Sequence, residues 1–315
     1  MVDELARPRA TARAAGPAFA TGGRKLVAHL AMLAFAACIA GSFSLGHKAA
    51  PHLEPAALNA LRFILGTAVL AGVMLAVTRR LPRRPAAPWR FAILGALMAA
   101  YFVLMFVALR ISDPVSTGAV FTLTPLMSAG FAWLFLRQAT RPVVLTALLV
   151  GASGAIWVIF RGDIEAILSF DLGAGEAIFL VGCAAHAAYT PLLRRFNRGE
   201  NGLEFTVFMM VATTAWLIAV GVGDLFAADL SLLPAIVWLT IAYLAVVTTA
   251  FTFFLLQFAS MRLPAGKVMA YGYLVPSFII LFEGLSGHGW PGWPVVAGAL
   301  VTAAALAVMG LAADG

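Results

Sequence analysis

The sequence predicts an all-α integral membrane protein of ten transmembrane helices arranged as two inverted five-helix repeats. Three observations carry that expectation. Of 315 residues, 62% are hydrophobic and only 11% charged, whereas a soluble domain has about 45–50% apolar and about 25% charged residues. Ten apolar stretches, each close to the roughly 20 residues that cross a hydrocarbon core, follow one another with short polar joints between them. The chain from Ala108 to Pro142 can also be laid over the chain from Ala259 to Pro294, which puts Pro125 and Pro276 at matching places inside apolar runs.

Residues 1–24 carry Arg7, Arg9, Arg13, Pro8 and Pro17 among alanines and glycines, lack apolar periodicity and read as a disordered cytoplasmic tail. The first stretch, 26–47, follows Arg24 and Lys25. It is longer than the roughly 7–15 residues of a signal-peptide core and has no convincing cleavage site, so it reads as a retained helix. Stretches 56–77, 90–110, 114–136 and 142–160 complete a first repeat, 25–161. Stretches 175–193, 203–223, 234–258, 264–286 and 292–312 form a second, 174–312. Arg141-Pro142-Val143-Val144 recurs as Trp293-Pro294-Val295-Val296 in the second repeat, and Pro114 and Pro264 hold similar offsets. Five spans is an odd number, so the second repeat enters the bilayer upside down relative to the first.

Charge fixes the expected orientation. All but Lys48, Arg62, Arg110 and Arg161 of the 21 basic residues fall in the tail or at the joints after the second, fourth, sixth and eighth stretches. The other joints collect Glu54, Asp113, Asp163, Glu165, Asp171, Glu176, Asp224 and Asp229. Positive-inside bias of this kind places both termini in the cytoplasm of a cell whose inner (plasma) membrane holds the chain. Trp89 and Trp133 then fall at the inner interface, and Trp157, Trp238, Trp290 and Trp293 at the outer one.

Some function classes are disfavoured. A net charge of +7 suggests nucleic acid in a soluble protein, but here the basic residues flank membrane spans. Cys38 and Cys183 lie inside spans, which supports neither a disulfide framework nor a metal site. Nothing resembles a phosphate-binding loop, a zinc cluster or a dinucleotide fingerprint, so neither a cofactor nor ATP-driven transport is expected.

The candidates for function are polar groups at membrane depth. Pro125 with Thr122, Thr124 and Ser128, and Pro276 with Tyr271, Tyr273 and Ser277, interrupt two spans where a freed carbonyl needs protein or a wet cavity; the alternative is a pair of kinked packing helices. His186 is the deepest ionisable side chain, a candidate for substrate contact or proton coupling, with Tyr189 near its face; the alternative is a neutral histidine bonded to a neighbouring helix. Arg62 either holds an anionic substrate group or serves structure, and Lys48 and Lys267 read as interfacial. Glu283 is the one acid placed within a span, as a coupling carboxylate or an interface residue. Tyr101, Trp216, Tyr243 and Tyr271 are aromatics suited either to lining a pocket or to packing. Ser153, in Gly-Ala-Ser-Gly at 151–154, together with His186 offers an enzyme alternative, an intramembrane serine protease of rhomboid type; the competing reading is small-residue helix packing. The small residues around Gly95, Gly151 and Gly298 pack either within one chain or in a homodimer.

Gly41-Ser42-Phe43 with Lys48, the run from Pro55 to Arg62-Phe63, Thr249 to Ala259, and Gly175 through Tyr189 to Arg194-Arg195 together give the chain a family likeness. Over nearly all of residues 26–311 it resembles the ten-helix EamA-type branch of the drug/metabolite transporter superfamily. Ala40 stands where that family usually has tryptophan and Phe253 where tyrosine is common. Gln138 and Gly289 stand where it often has a glutamate, so no role of that carboxylate carries over. The resemblance implies alternating-access export, or less often uptake, of a small metabolite, and the residue types add the expectation of a small polar or amphipathic cargo, amino acids being the leading class. A non-transporting membrane scaffold is the remaining alternative.

Overall fold

The computed structural model describes residues 19–49, 52–80, 82, 85–112, 120–169, 173–285 and 290–312, apart from the side chains at 42–44, 46–49, 109, 110 and 283. Every regular element among them is helical. The spans are α1 (Gly22–Ala49), α2 (Pro55–Thr78), α3 (Trp89–Ile111), α4 (Thr124–Leu136), α5 (Pro142–Ile159), α6 (Ala174–Phe196), α7 (Gly202–Ala227) and three more. The next, α8, consists of Ala235–Ala245, a π-helical stretch Val246–Phe251 and Thr252–Ser260. Then α9 joins Ala265–Ala270, a 3₁₀ stretch Tyr271–Leu274 and Val275–Leu285, and α10 is Trp293–Leu311. Nine of these are long and apolar enough to cross a membrane among the described residues, and α4 is a shorter apolar helix. The protein is a multi-pass membrane protein.

Local sequence sets the helix ends. Proline occupies the first turn of α2, α4, α5 and α10, where its missing N–H costs no intrahelical bond and its fixed φ is already helical. Left-handed Arg79 and Arg137 close α2 and α4, their N–H groups returning to carbonyls of the last turn. Asn201 caps α7 by accepting from the Leu203 N–H. The expected tail ends earlier than the sequence suggested: α1 starts at Gly22, and the Ala20 N–H donates to the Arg262 carbonyl. Residues 1–18 of that tail, and 113–119 of the expected fourth stretch, lie outside the described residues.

Packing respects an exchange of the two halves. The α3–α6 pair is matched by α8–α1, α3–α7 by α8–α2, and α4–α6 by α9–α1. The pairs α2–α7, α4–α9 and α5–α10 each join equivalent helices. Small residues permit the closest crossings. A Cβ on Gly154 would stand 3.0 Å from the Gly298 carbonyl, and one on Gly95 would stand 2.6 Å from the Ala212 backbone. Gly151 meets the Tyr273 ring and Gly298 the Trp157 ring, so these small-residue faces are used within the chain.

The outer surface is apolar, with Leu26, Val77, Leu149, Val181, Leu239 and Leu300 all exposed. That is the surface a helix bundle offers to lipid.

One end of the bundle is held together by basic side chains. The fully buried Arg90 at the start of α3 donates to the carbonyls of Ala86, Ala87 and Phe196 and pairs with Glu200 in the α6–α7 joint. Partial burial pushes the Glu200 carboxyl up, but hydrogen bonds from Arg90 and the Arg198 N–H, with the charge of Arg90, outweigh this and hold it below its ordinary value. Arg195 donates to the Phe135 carbonyl, 2.6 Å away, tying α6 to α4. Lys25 and Lys267 both donate to the Ala312 carbonyl, at 3.1 and 2.7 Å, where the negative end of the α10 dipole favours cations. Lys267 stands at this end of the bundle yet is shielded from solvent, 1% exposed. The carbonyl end of α10 supplies the polar surroundings that water would otherwise provide.

Candidate functional site

A continuous aromatic enclosure fills the middle of the bundle. The His186 ring on α6 lies 4.4 Å, centroid to centroid, from Tyr101 on α3, 6.2 Å from Phe121 and 6.5 Å from Tyr189. Phe179 stacks on Phe121, and Tyr101 adjoins Phe102 at 5.0 Å. Phe102 in turn meets Phe63 of α2 and Phe253 of α8. The Tyr189 hydroxyl donates to the Met209 sulfur at 3.3 Å. His186 is 4% exposed, and its Nδ1 has no hydrogen-bond partner among the described residues.

Arg62 stands at the other end of this enclosure, 4% exposed. Its Nε donates to the Thr249 hydroxyl at 3.0 Å, and one terminal nitrogen reaches toward the Thr248 carbonyl at 3.5 Å. Its guanidinium carbon lies 4.6 Å from the Phe102 centroid and 5.5 Å from that of Phe63. No carboxylate pairs with it among the described residues; the ion pair the structure shows is that of Arg90 with Glu200. Magnitudes decide how to read this: a cation–π contact is worth about 0.5–2 kcal/mol, while the effective penalty for burying an ion is still several kcal/mol. The protein itself compensates the charge only in part.

The local backbone explains why Arg62 finds these partners. Val246-Val247-Thr248-Thr249 is a β-branched run that weakens α-helix, and α8 widens to a π-helix over Val246–Phe251. Such bulges shift one residue out of the regular hydrogen-bond ladder and recur at functional sites. Gly66 of α2 makes room for it: a Cβ there would stand 2.8 Å from the Ala245 carbonyl and 3.2 Å from the Thr249 methyl.

Both marked prolines begin a helical segment. Pro125 lies in the first turn of α4, after a turn at Thr122 and Leu123, and Pro276 follows the 3₁₀ stretch Tyr271–Leu274. The two breaks touch, because a Cβ on Gly272 would meet the Phe121 ring at 3.1 Å. Beside them Ser128 Oγ and Ser277 Oγ are buried without a hydrogen-bond partner among the described residues, as are both amide atoms of Gln257 on α8, while the Thr124 hydroxyl neighbours the Cys183 thiol. Buried polar atoms are almost always paired in folded proteins. Such a group at membrane depth suits a polar site better than a packed core.

The sequence candidates divide. Tyr101, Thr122, Pro125, His186 and Tyr189 belong to the enclosure or to the break beside it, and Pro276 and Tyr271 belong to the facing break. Tyr271 hydrogen-bonds the His29 Nδ1 at 2.9 Å. Trp216 corrects its expectation: it is 45% exposed on the perimeter and donates to the Ala92 carbonyl. Tyr243 packs on Gly41, its hydroxyl donating to the Cys38 carbonyl, away from the rings around His186. Ser153 is exposed and donates to the Val150 carbonyl at 2.8 Å, while His186 is enclosed by rings, so the two do not form a catalytic pair. The side chains of Lys48 and Glu283 lie outside the described residues. Sequence reasoning missed His29, Phe102, Phe121, Thr248, Thr249 and Gln257. The β-branched run was the available signal for the threonines.

The family model for EamA-like transporters matches residues 26–160 and again 173–311. The chain belongs to the EamA-like transporter family. That places it in the drug/metabolite transporter superfamily. Among curated proteins this EamA member is similar to the uncharacterized transporter YyaM of Bacillus subtilis (strain 168), 24% identical over 287 residues, covering 90% of this chain and 93% of that one. It is also similar to an uncharacterized transporter of Archaeoglobus fulgidus, 22% identical over 265 residues, covering 84% and 91%. A solved crystal structure superposes with a TM-score of 0.72 at 21% identity, covering 91% of this chain and 96% of that chain, which shows a shared fold. The two family matches fall on the two halves related by the packing exchange.

Proposed function

We propose that this EamA-family transporter carries small amphipathic metabolites, amino acids being the leading class, by alternating access, and that it works as an exporter in the inner membrane. The observation that carries the reading is the aromatic enclosure bounded by Arg62 and His186, set where the two halves meet and beside two facing helix breaks. Aromatic walls with a few polar groups fit a solute with polar and apolar parts. The halves, 25–161 and 174–312, rock about the breaks at Pro125 and Pro276 and expose the enclosure to each side in turn. The basic end, with Arg90, Arg195, Lys25 and Lys267, faces the cytoplasm by the positive-inside rule. His186 and Glu283 are the candidates for proton coupling.

Reconstitution of the full chain in liposomes with labelled amino acids tests the reading. Counterflow of at least one amino acid is expected, and absence of flux for every solute tried favours a scaffold. Export measured against pH in His186→Ala and Glu283→Gln tests coupling. Unchanged pH dependence in both variants removes each from that role.

A further inference from the structure

We infer that Arg62 is the anchor for a carboxylate on the transported solute, so that the cargo is an organic acid or zwitterion with a compact apolar or aromatic tail. The inference rests on the transport reading and narrows its substrate class. Four observations carry it. Arg62 is buried in the middle of a lipid-facing bundle with no carboxylate paired to it among the described residues. Its recorded hydrogen bonds go to one hydroxyl and, at 3.5 Å, one carbonyl, so part of its five-donor fork is uncommitted. The Arg62 guanidinium carbon lies over the Phe102 ring, which continues through Tyr101 to His186, giving a tail an apolar path that starts at the cation. The α8 backbone departs from α-helix beside it, over Val246–Phe251.

The chemistry selects the ligand. A planar guanidinium binds a planar carboxylate through two parallel hydrogen bonds, and the carboxylate brings the counter-charge that a buried cation needs. None of the described side chains that meet Arg62 is acidic, so a cationic amine without a carboxylate finds no partner among them. A carboxylate arriving at the free edge of the Arg62 fork leaves its tail along Phe102, Tyr101 and Phe121.

The test uses purified full-length protein and three matched probes: 3-phenylpropanoate, L-phenylalanine and L-phenylalaninamide. Thermal unfolding should shift upward with both carboxylates, and the amide should bind at least tenfold more weakly. Arg62→Lys keeps the charge but not the fork and should lose about tenfold in carboxylate affinity. Arg62→Met should abolish the carboxylate response and raise the ligand-free midpoint, because it removes an uncompensated buried charge; an arginine with a purely structural role would lower that midpoint instead. An amide that binds as well as the acids, a carboxylate response that survives Arg62→Met, or wild-type protein that responds to none of the three overturns the inference. Flux assays in liposomes separate the two levels. Carboxylate binding without flux leaves the anchor and removes the transporter reading, whereas flux unchanged in Arg62→Met does the reverse.

Discussion

The Phe121 ring packs against Gly272, and through this contact the break ahead of Pro125 meets the break ahead of Pro276. Any rocking of one half on the other slides this ring over that glycine.

Gly272→Val should therefore hinder transport. A Cβ at this position already lies 3.1 Å from the ring, and overpacking of this kind costs about 1–3 kcal/mol. Proteoliposome flux should fall several-fold, and Phe121→Ala in the same chain should recover part of it. Equal loss in the single and double variants would mean that the two residues are not coupled.

Gly66→Val should be more damaging to folding than to any one step of transport. The added side chain collides with the Ala245 carbonyl and the Thr249 methyl, forcing α2 away from the π-helical stretch. A loss of about 1–3 kcal/mol should be read as a lowered midpoint in thermal unfolding. A midpoint equal to that of the wild type would refute the close packing of α2 on α8.

Acid should loosen the basic end of the bundle. The folded Glu200 carboxyl is held below its ordinary value, so it binds protons less readily folded than unfolded. Its contribution is complete above the unfolded value and is lost as pH falls through the lower folded one. Glu200→Gln should remove that part of the acid dependence and cost about 1.5–3 kcal/mol near neutrality, the range for a hydrogen bond to a charged partner. Unfolding midpoints measured across the acid range for both proteins check this, and parallel curves would count against the pair.

Ser153→Ala should change nothing measurable. The hydroxyl is exposed and bonded to its own helix at Val150, and surface substitutions of this kind fall within about 0.5 kcal/mol. Loss of cleavage of a reporter transmembrane segment in this variant would revive the protease reading.

Much of the fold was legible because lipid imposes length and charge rules that a sequence must obey. The spans, the doubled pattern and the basic joints followed from those rules. Within the bundle the rules are silent, and Trp216 shows why. Lipid and protein interior are both apolar, so a mid-span tryptophan carries no mark of which one it faces. The burial of Lys267 was hidden for a related reason, since distance along the chain from a span end does not reveal that the carbonyl end of α10 closes over it. His186 and Arg62 stood out because charge at membrane depth is rare whatever its surroundings. The role of Thr249 became visible only once α8 had widened and Gly66 had let it approach.

The matched junctions of the two halves have one more consequence. Because α3 on α6 is the counterpart of α8 on α1, and α4 on α6 of α9 on α1, an alternating-access cycle of the kind proposed would find a template for the opposite-facing conformer within the chain itself. Wherever the paired junctions differ in geometry, trading those geometries between partners turns whichever mouth is wider into the narrower one. On the alternating-access reading proposed above, transport needs no separate machinery for loading and release: the two states would be two solutions of one packing problem, related by exchange of the halves.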